Sequence, residues 1–285
     1  MGRGQVEVKP AGSAEWRKVR PLLAVRAGDT LRATDDASAV ILLSGGRGSV
    51  KVAAAGSPFV VPAPQPGEGK LQKVATLVDA SLGFLTSSAR ELPRAALGTR
   101  GGPRPPVILS PRNGPVLPDS LSFEWLGSRY GRYTIRIVGP SGVALERKGL
   151  AGGRLDYPPA APALAPGIRY TFQVISGSHP PQEVWFEILD PARAQALRRD
   201  LTMLEQEFGP TVSPNTLAML RAAFLAENGL IHDARLLVVG ALGQDPDEPT
   251  LHFLLANLYA KVGLAQQAAE SYEEARFLMA GPPKR

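Results

Sequence analysis

Residues 215–248 read NTLAMLRAAFLAENGLIHDARLLVVGALGQDPDE, and residues 249–282 read PTLHFLLANLYAKVGLAQQAAESYEEARFLMAGP. Laid one over the other, Ala222 recurs as Ala256, Gly229 as Gly263, Ala234 as Ala268 and Ala241 as Ala275, each at an offset of 34. Self-similarity at that period marks a stacked helix–turn–helix unit. The residue types have a physical reason. Alanines stand where two antiparallel helices approach closely, and each glycine stands at the turn, where a side chain resists φ > 0. In the second copy Leu255, Ala256, Tyr259, Gly263, Ala268, Tyr272 and Ala275 keep the register.

This pattern resembles the tetratricopeptide (TPR) repeat, in two copies. The resemblance implies helical hairpins that hold a partner protein in a groove lined by the first helix of each repeat. By that resemblance the groove residues are Met219, Ala223, Phe253, Asn257 and Lys261. Asn257 takes a position used by peptide-clamping repeats, but Phe253 stands where those carry a lysine. A carboxylate clamp is therefore not expected, and Asn257 reads equally well as a polar groove residue with no dedicated ligand. Upstream, Asp190-Pro191 reads as an N-cap followed by proline at the first helical position. Ala194, Leu197, Leu201, Leu204 and Phe208 then repeat at threes and fours until Gly209-Pro210. This helix should cover the first repeat, since two units are fewer than the three usually needed. Pro246 closes the first unit and Pro282 the second.

Residues 106–189 carry a different rhythm. Runs at Val107–Leu109, Leu121–Trp125, Tyr133-x-Ile135-x-Ile137, Val143–Glu146, Arg154–Tyr157, Tyr170-x-Phe172-x-Val174 and Val184–Ile188 alternate as strands with one buried face. Leu164-x-Pro166-Gly167-x-x-Tyr170 has the form of a tyrosine corner, whose hydroxyl ties back to upstream backbone, and Trp125 fits a core aromatic. The segment resembles a fibronectin type III or related immunoglobulin-like sandwich, a spacer and binding module.

Residues 1–69 also read as β-structure. Val6-x-Val8, Leu22 to Val25, Ala39 to Leu43, Val50-x-Val52 and Phe59 to Val61 are short strands, with turns at Gly28-Asp29, Asp35-Asp36 and Ser44-Gly45-Gly46. The cluster Gly45-Gly46-Arg47-Gly48 precedes the strand-like Val50-Lys51-Val52, which makes it a hairpin turn and not a phosphate cradle, since the latter opens a helix. Gly4-x-Val6-x-Val8, Trp16, Val25-x-x-Gly28-Asp29-x-Leu31-x-x-Thr34 and Ser38 to Leu42 together resemble the FecR domain of bacterial cell-envelope proteins. That resemblance implies the periplasm or cell surface, with an export signal cut away. In the sigma-factor regulators of that name the domain follows a membrane helix and an anti-sigma segment. Neither stands ahead of it here, so the expectation is a binding module, with envelope glycan or iron-carrier sensing as its alternative. Residues 70–105 join the two β units: Leu71, Val74, Leu77, Val78, Leu82 and Leu85 mark an amphipathic helix that should pack on a neighbouring domain, and 98–106 is Gly/Pro-rich linker.

The expected fold class is therefore multidomain, β plus α: a small all-β FecR-like domain, an Ig/FnIII-like sandwich, then a capping helix with TPR hairpins over residues 190–285. The formal charge of +6 resides in the first hundred residues, which hold 14 basic and 8 acidic side chains, dispersed and without a basic helix. A solvated surface accounts for that, and nucleic acid is not an expected partner. With no cysteine there are no disulfides and no thiolate sites. No run approaches the ~20 apolar residues of a membrane span, and Met-Gly-Arg-Gly-Gln lacks the apolar core of a signal peptide. His179, His232 and His252 have no second ligand at helical spacing, and no Gly-x-Ser-x-Gly elbow occurs. No metal, cofactor or catalysis is expected.

Overall fold

The computed structural model describes residues 5–19, 23–35, 37–43, 49–63, 76–79, 81, 83–85, 105–118, 121–177, 179–210 and 212–280. Within them the chain forms six strands, then helical residues at 76–79, 81 and 83–85, then eight strands and five α-helices. The reading of β plus α holds at that level.

Six short strands come first: β1 (Val6–Lys9), β2 (Arg17–Lys18), β3 (Thr30–Ala33), β4 (Ser38–Leu42), β5 (Ser49–Ala53) and β6 (Phe59–Val60). Four of them form a sheet in the order β2-β1-β3-β6, and β4 pairs with β5 as an antiparallel hairpin from Ser38↔Ala53 to Leu42↔Ser49. The glycine cluster at 45–48 lies outside the described residues, but the pairing on either side is that of a hairpin. Val8, Leu31, Ile41, Val52 and Val61 form the small core. Asp29 is buried because its carboxylate serves the backbone, Oδ1 accepting from Ala11 N at 2.9 Å and Oδ2 from Arg26 N at 2.8 Å. This contact also explains a difference from the sequence reading. The strand expected over 22–25 is absent at 23–25, since the Asp29 side chain draws the adjoining backbone into a turn. Asp35 takes a left-handed φ of 51°, in keeping with a turn residue, and Asp36 lies outside the described residues.

Eight strands follow: β7 (Val107–Ser110), β8 (Gly114–Val116), β9 (Ser122–Leu126), β10 (Tyr133–Gly139), β11 (Gly142–Leu150), β12 (Arg154–Asp156), β13 (Arg169–Ser176) and β14 (His179–Ile188). They make a five-stranded sheet, β11-β10-β13-β14-β8, and a three-stranded sheet, β12-β9-β7. Phe123 of β9 packs edge-on against Phe172 and Phe186 of the other sheet, at ring-centroid distances of 4.8 and 5.4 Å. Tyr133, Ile135 and Ile137 alternate inward with Tyr170, Phe172 and Val174, and Trp125 is 2% exposed. The Tyr170 hydroxyl accepts from Ala165 N at 2.8 Å, closing the tyrosine corner. His179, read as a loop residue, opens β14. Its neighbours Pro180 and Pro181 are tolerated because β8 pairs β14 only at 186–188, which leaves them on an edge.

Helices α1 (Pro191–Phe208), α2 (Pro214–Glu227), α3 (Ile231–Gln244), α4 (Pro249–Lys261) and α5 (Ala265–Ala280) complete the described chain. Asp190 caps α1 by accepting from Ala192 N and Arg193 N, with Pro191 at the first turn. The stop after Phe208 differs from the sequence reading in its cause. Gly209 has φ −50°, so it is not a left-handed cap, and the helix ends where Pro210 has no N–H to continue it. Pro282 lies outside the described residues.

Candidate docking groove and the interface behind it

The two hairpins, α2–α3 and α4–α5, close in the same way. Gly229 has φ +81° and Gly263 φ +77°. Around the first, Leu230 N donates to Leu225 O (2.9 Å) and Gly229 N to Ala226 O (3.0 Å). Around the second, Leu264 N donates to Tyr259 O (2.9 Å) and Gly263 N to Ala260 O (3.1 Å). Both are Schellman motifs, and every participant sits 34 residues from its counterpart. Ala222, Ala256, Ala234 and Ala268 are fully buried, where a larger side chain would force the helices apart. Each inner helix starts the same way too. Ser213 accepts from Thr216 N ahead of Pro214, and Glu248 accepts from Thr250 N ahead of Pro249.

The five groove residues come from α2 and α4, as the repeat register requires. Their exposure is not that of an open groove. Ala223 is 0% exposed, Asn257 5% and Phe253 9%, while Met219 is half-buried and packs on the helical core. Phe253 leans on Tyr272 of α5, ring centroids 5.3 Å apart. Asn257 Nδ2 is buried with no hydrogen-bond partner among the described residues. Lys261 alone is exposed, and its ammonium lies 5.9 Å from the ring centroid of Phe84. Phe84 belongs to the connector, as do Leu77, Val78 and Leu85, and all four are buried in the same cluster as α1–α5. Leu71, Val74 and Leu82 of the expected connector helix lie outside the described residues.

Sequence reasoning also missed a second arrangement, the polar seam between sandwich and hairpins. Ser110 Oγ and His232 Nδ1 are 2.6 Å apart in a buried pair, and Leu117 N donates to Asp233 Oδ2 at 3.1 Å. Arg112 Nε donates to Val262 O at 2.9 Å. Arg235, 7% exposed, meets the Glu124 carboxylate at 2.7 Å and the Tyr259 hydroxyl at 3.3 Å. Burial alone pulls Arg235 toward deprotonation, and Tyr259 and Glu124 outweigh it, so the guanidinium stands above its ordinary pKa. For Arg112 burial dominates and lowers it. Three of these residues, His232, Asp233 and Arg235, come from the first turns of α3. Gly114 passes close to this seam: a Cβ there would stand 3.4 Å from Gly229 O.

His252 Nε2 pairs with Pro246 O at 2.7 Å, and no cluster of three His, Asp or Glu side chains suited to a metal occurs among the described residues. No helix among them is long and apolar enough to cross a membrane. Comparison with protein-family models finds no match, and comparison with curated proteins finds none either.

Proposed function

We propose that this chain is a non-catalytic cell-envelope scaffold, residing in the periplasm or at the cell surface, that docks a partner protein through a TPR module over residues 190–285. In this reading a FecR-like β domain (1–69) and an Ig/FnIII-like sandwich (106–189) carry and position that module. The observation that supports it is the pair of helical hairpins with matching Schellman turns 34 residues apart, because such an array is a surface for protein. A photo-crosslinking residue placed at Lys261 of the full chain tests it in cells. A discrete protein adduct, lost when Phe253→Ala and Asn257→Ala are added, is the expected result. The same adduct pattern from exposed Val143 on the sandwich would defeat the reading.

One observation favours a second reading, in which the N-terminal domain senses a ligand and the hairpins serve oligomerisation. A depression of about 430 Å³ is lined by Val8, Pro10, Arg17, Lys18, Leu23 and Val25. Its two exposed cations suit an anionic envelope glycan or an acidic iron carrier. Asp29 is also on its wall but is committed to backbone donors. Thermal midpoints of the full chain, measured with such ligands, should rise for the native protein and not for Arg17→Ser/Lys18→Ser. A midpoint that no ligand moves removes this reading.

A further inference from the structure

Residues 76–79, 81 and 83–85 show a one-sided pattern. Leu77, Val78, Ser81, Phe84 and Leu85 are 0–8% exposed, whereas Thr76, Asp79 and Gly83 face water. Spacings of one, four, seven and eight from Leu77 put the buried five on a single helical face. The one polar member is satisfied within the segment, Ser81 Oγ donating to Leu77 O at 2.9 Å. The four apolar members join the buried cluster of the helices, and Phe84 sits beside Lys261 at the end of α4. The candidate groove residues Ala223, Phe253 and Asn257 are themselves out of water.

From this juxtaposition we infer that the face made by Leu77, Val78, Ser81, Phe84 and Leu85 is a resident ligand of the hairpin array, and that the partner the array takes is an amphipathic helix of the same pattern. That helix carries paired aliphatics one turn from a small residue and two turns from an aromatic–aliphatic pair. Binding is then an exchange of one helix for another. The segment shields the array's apolar surface until a competitor displaces it. The inference rests on the docking reading above and names the chemistry of its partner.

A labelled synthetic peptide of residues 70–92, added to the full chain, tests the exchange. Native protein should bind it weakly, because the competent, open state is a small fraction. Leu77→Asp/Phe84→Asp, which releases the resident segment, should bind at least about tenfold more tightly. Equal affinities would overturn the inference. A second measurement does not depend on that variant folding. The chain has no cysteine, so Phe84→Cys with Lys261→Cys gives a unique thiol pair. A short bismaleimide should join them in the native protein, and saturating peptide should suppress the link. No link, or a link indifferent to peptide, overturns the proposal. Neither readout needs a natural partner, so a chain that exchanges helices yet yields no cellular adduct at Lys261 would refute docking and leave exchange standing.

Discussion

Arg235 and Glu124 lie 111 positions apart in sequence, and their side chains meet at 2.7 Å with 7% and 13% of their surfaces exposed. The pair joins the helical C-terminal part of the chain to the sandwich. It is not symmetric. Glu124 has a second cation, Arg154, at 3.2 Å, and among the described residues Arg235 has the Tyr259 hydroxyl besides.

Removing either side should therefore cost different amounts. Glu124→Leu strands a buried guanidinium and should cost about 3–5 kcal/mol, the range for breaking a buried ion pair. Arg235→Met leaves Glu124 held by Arg154 and should cost less, about 1.5–3 kcal/mol, the scale of a hydrogen bond to a charged group. Denaturant unfolding of both variants checks the order, and equal losses would show that Arg154 does not compensate.

The tyrosine corner offers a local test. Tyr170→Phe removes the acceptor of the Ala165 N–H and should destabilise the chain by about 0.5–1.5 kcal/mol, the net worth of a typical hydrogen bond, since Ala165 itself is exposed. Gly139→Ala should hurt at the same place, because a Cβ there would lie 2.7 Å from the Tyr170 ring. Thermal unfolding of each variant, and of the two combined, should show losses that do not add.

Gly229→Ala and Gly263→Ala probe the repeat turns. Around Gly263 a Cβ would meet nothing within 4 Å, and around Gly229 only Pro115 Cγ at 3.9 Å. The cost is thus one of backbone conformation, about 1–2 kcal/mol for a left-handed residue. Similar losses at the two sites, read from denaturant midpoints, are the expected result.

Acid should reveal Glu146. Hydrogen bonds from Lys148 and Arg136 hold its carboxyl below the ordinary range. A carboxylate with a lowered folded-state pKa adds stability above its unfolded value, about pH 4.3, and loses it as pH falls through the folded one. Glu146→Gln should therefore be less stable than the native chain at neutral pH and should converge with it in acid. The group is partly open to water, so the difference should be small and should shrink further in salt.

What was legible in the sequence is what depends on neighbours along it. Gly229 and Gly263 announce their turns because the φ each adopts is costly for other residues. Tyr170 announces its corner because Ala165 is five positions away. The polar seam was illegible for the opposite reason. Ser110 and His232 are 122 positions apart, and nothing local separates an arginine in water from Arg235 behind Tyr259. Strands β2, β3 and β8 escaped: Arg17-Lys18 has no apolar residue to alternate, Thr30–Ala33 offers only Leu31 and Ala33, and Gly114–Val116 contains Pro115. The connector stood between these cases. Its apolar face could be read from Leu77, Val78 and Leu85, but not which surface it would cover.

The seam at residue 190 has a consequence for descent. It looks like a natural place to exchange one module for another, since strands end there and helices begin. Yet His232, Asp233 and Arg235 on one side are completed by Ser110, Leu117 and Glu124 on the other. A recombination that spliced these hairpins onto a foreign sandwich would bury a cation and a histidine without their counterparts. A change on one side of this contact is therefore expected to require a matching change on the other.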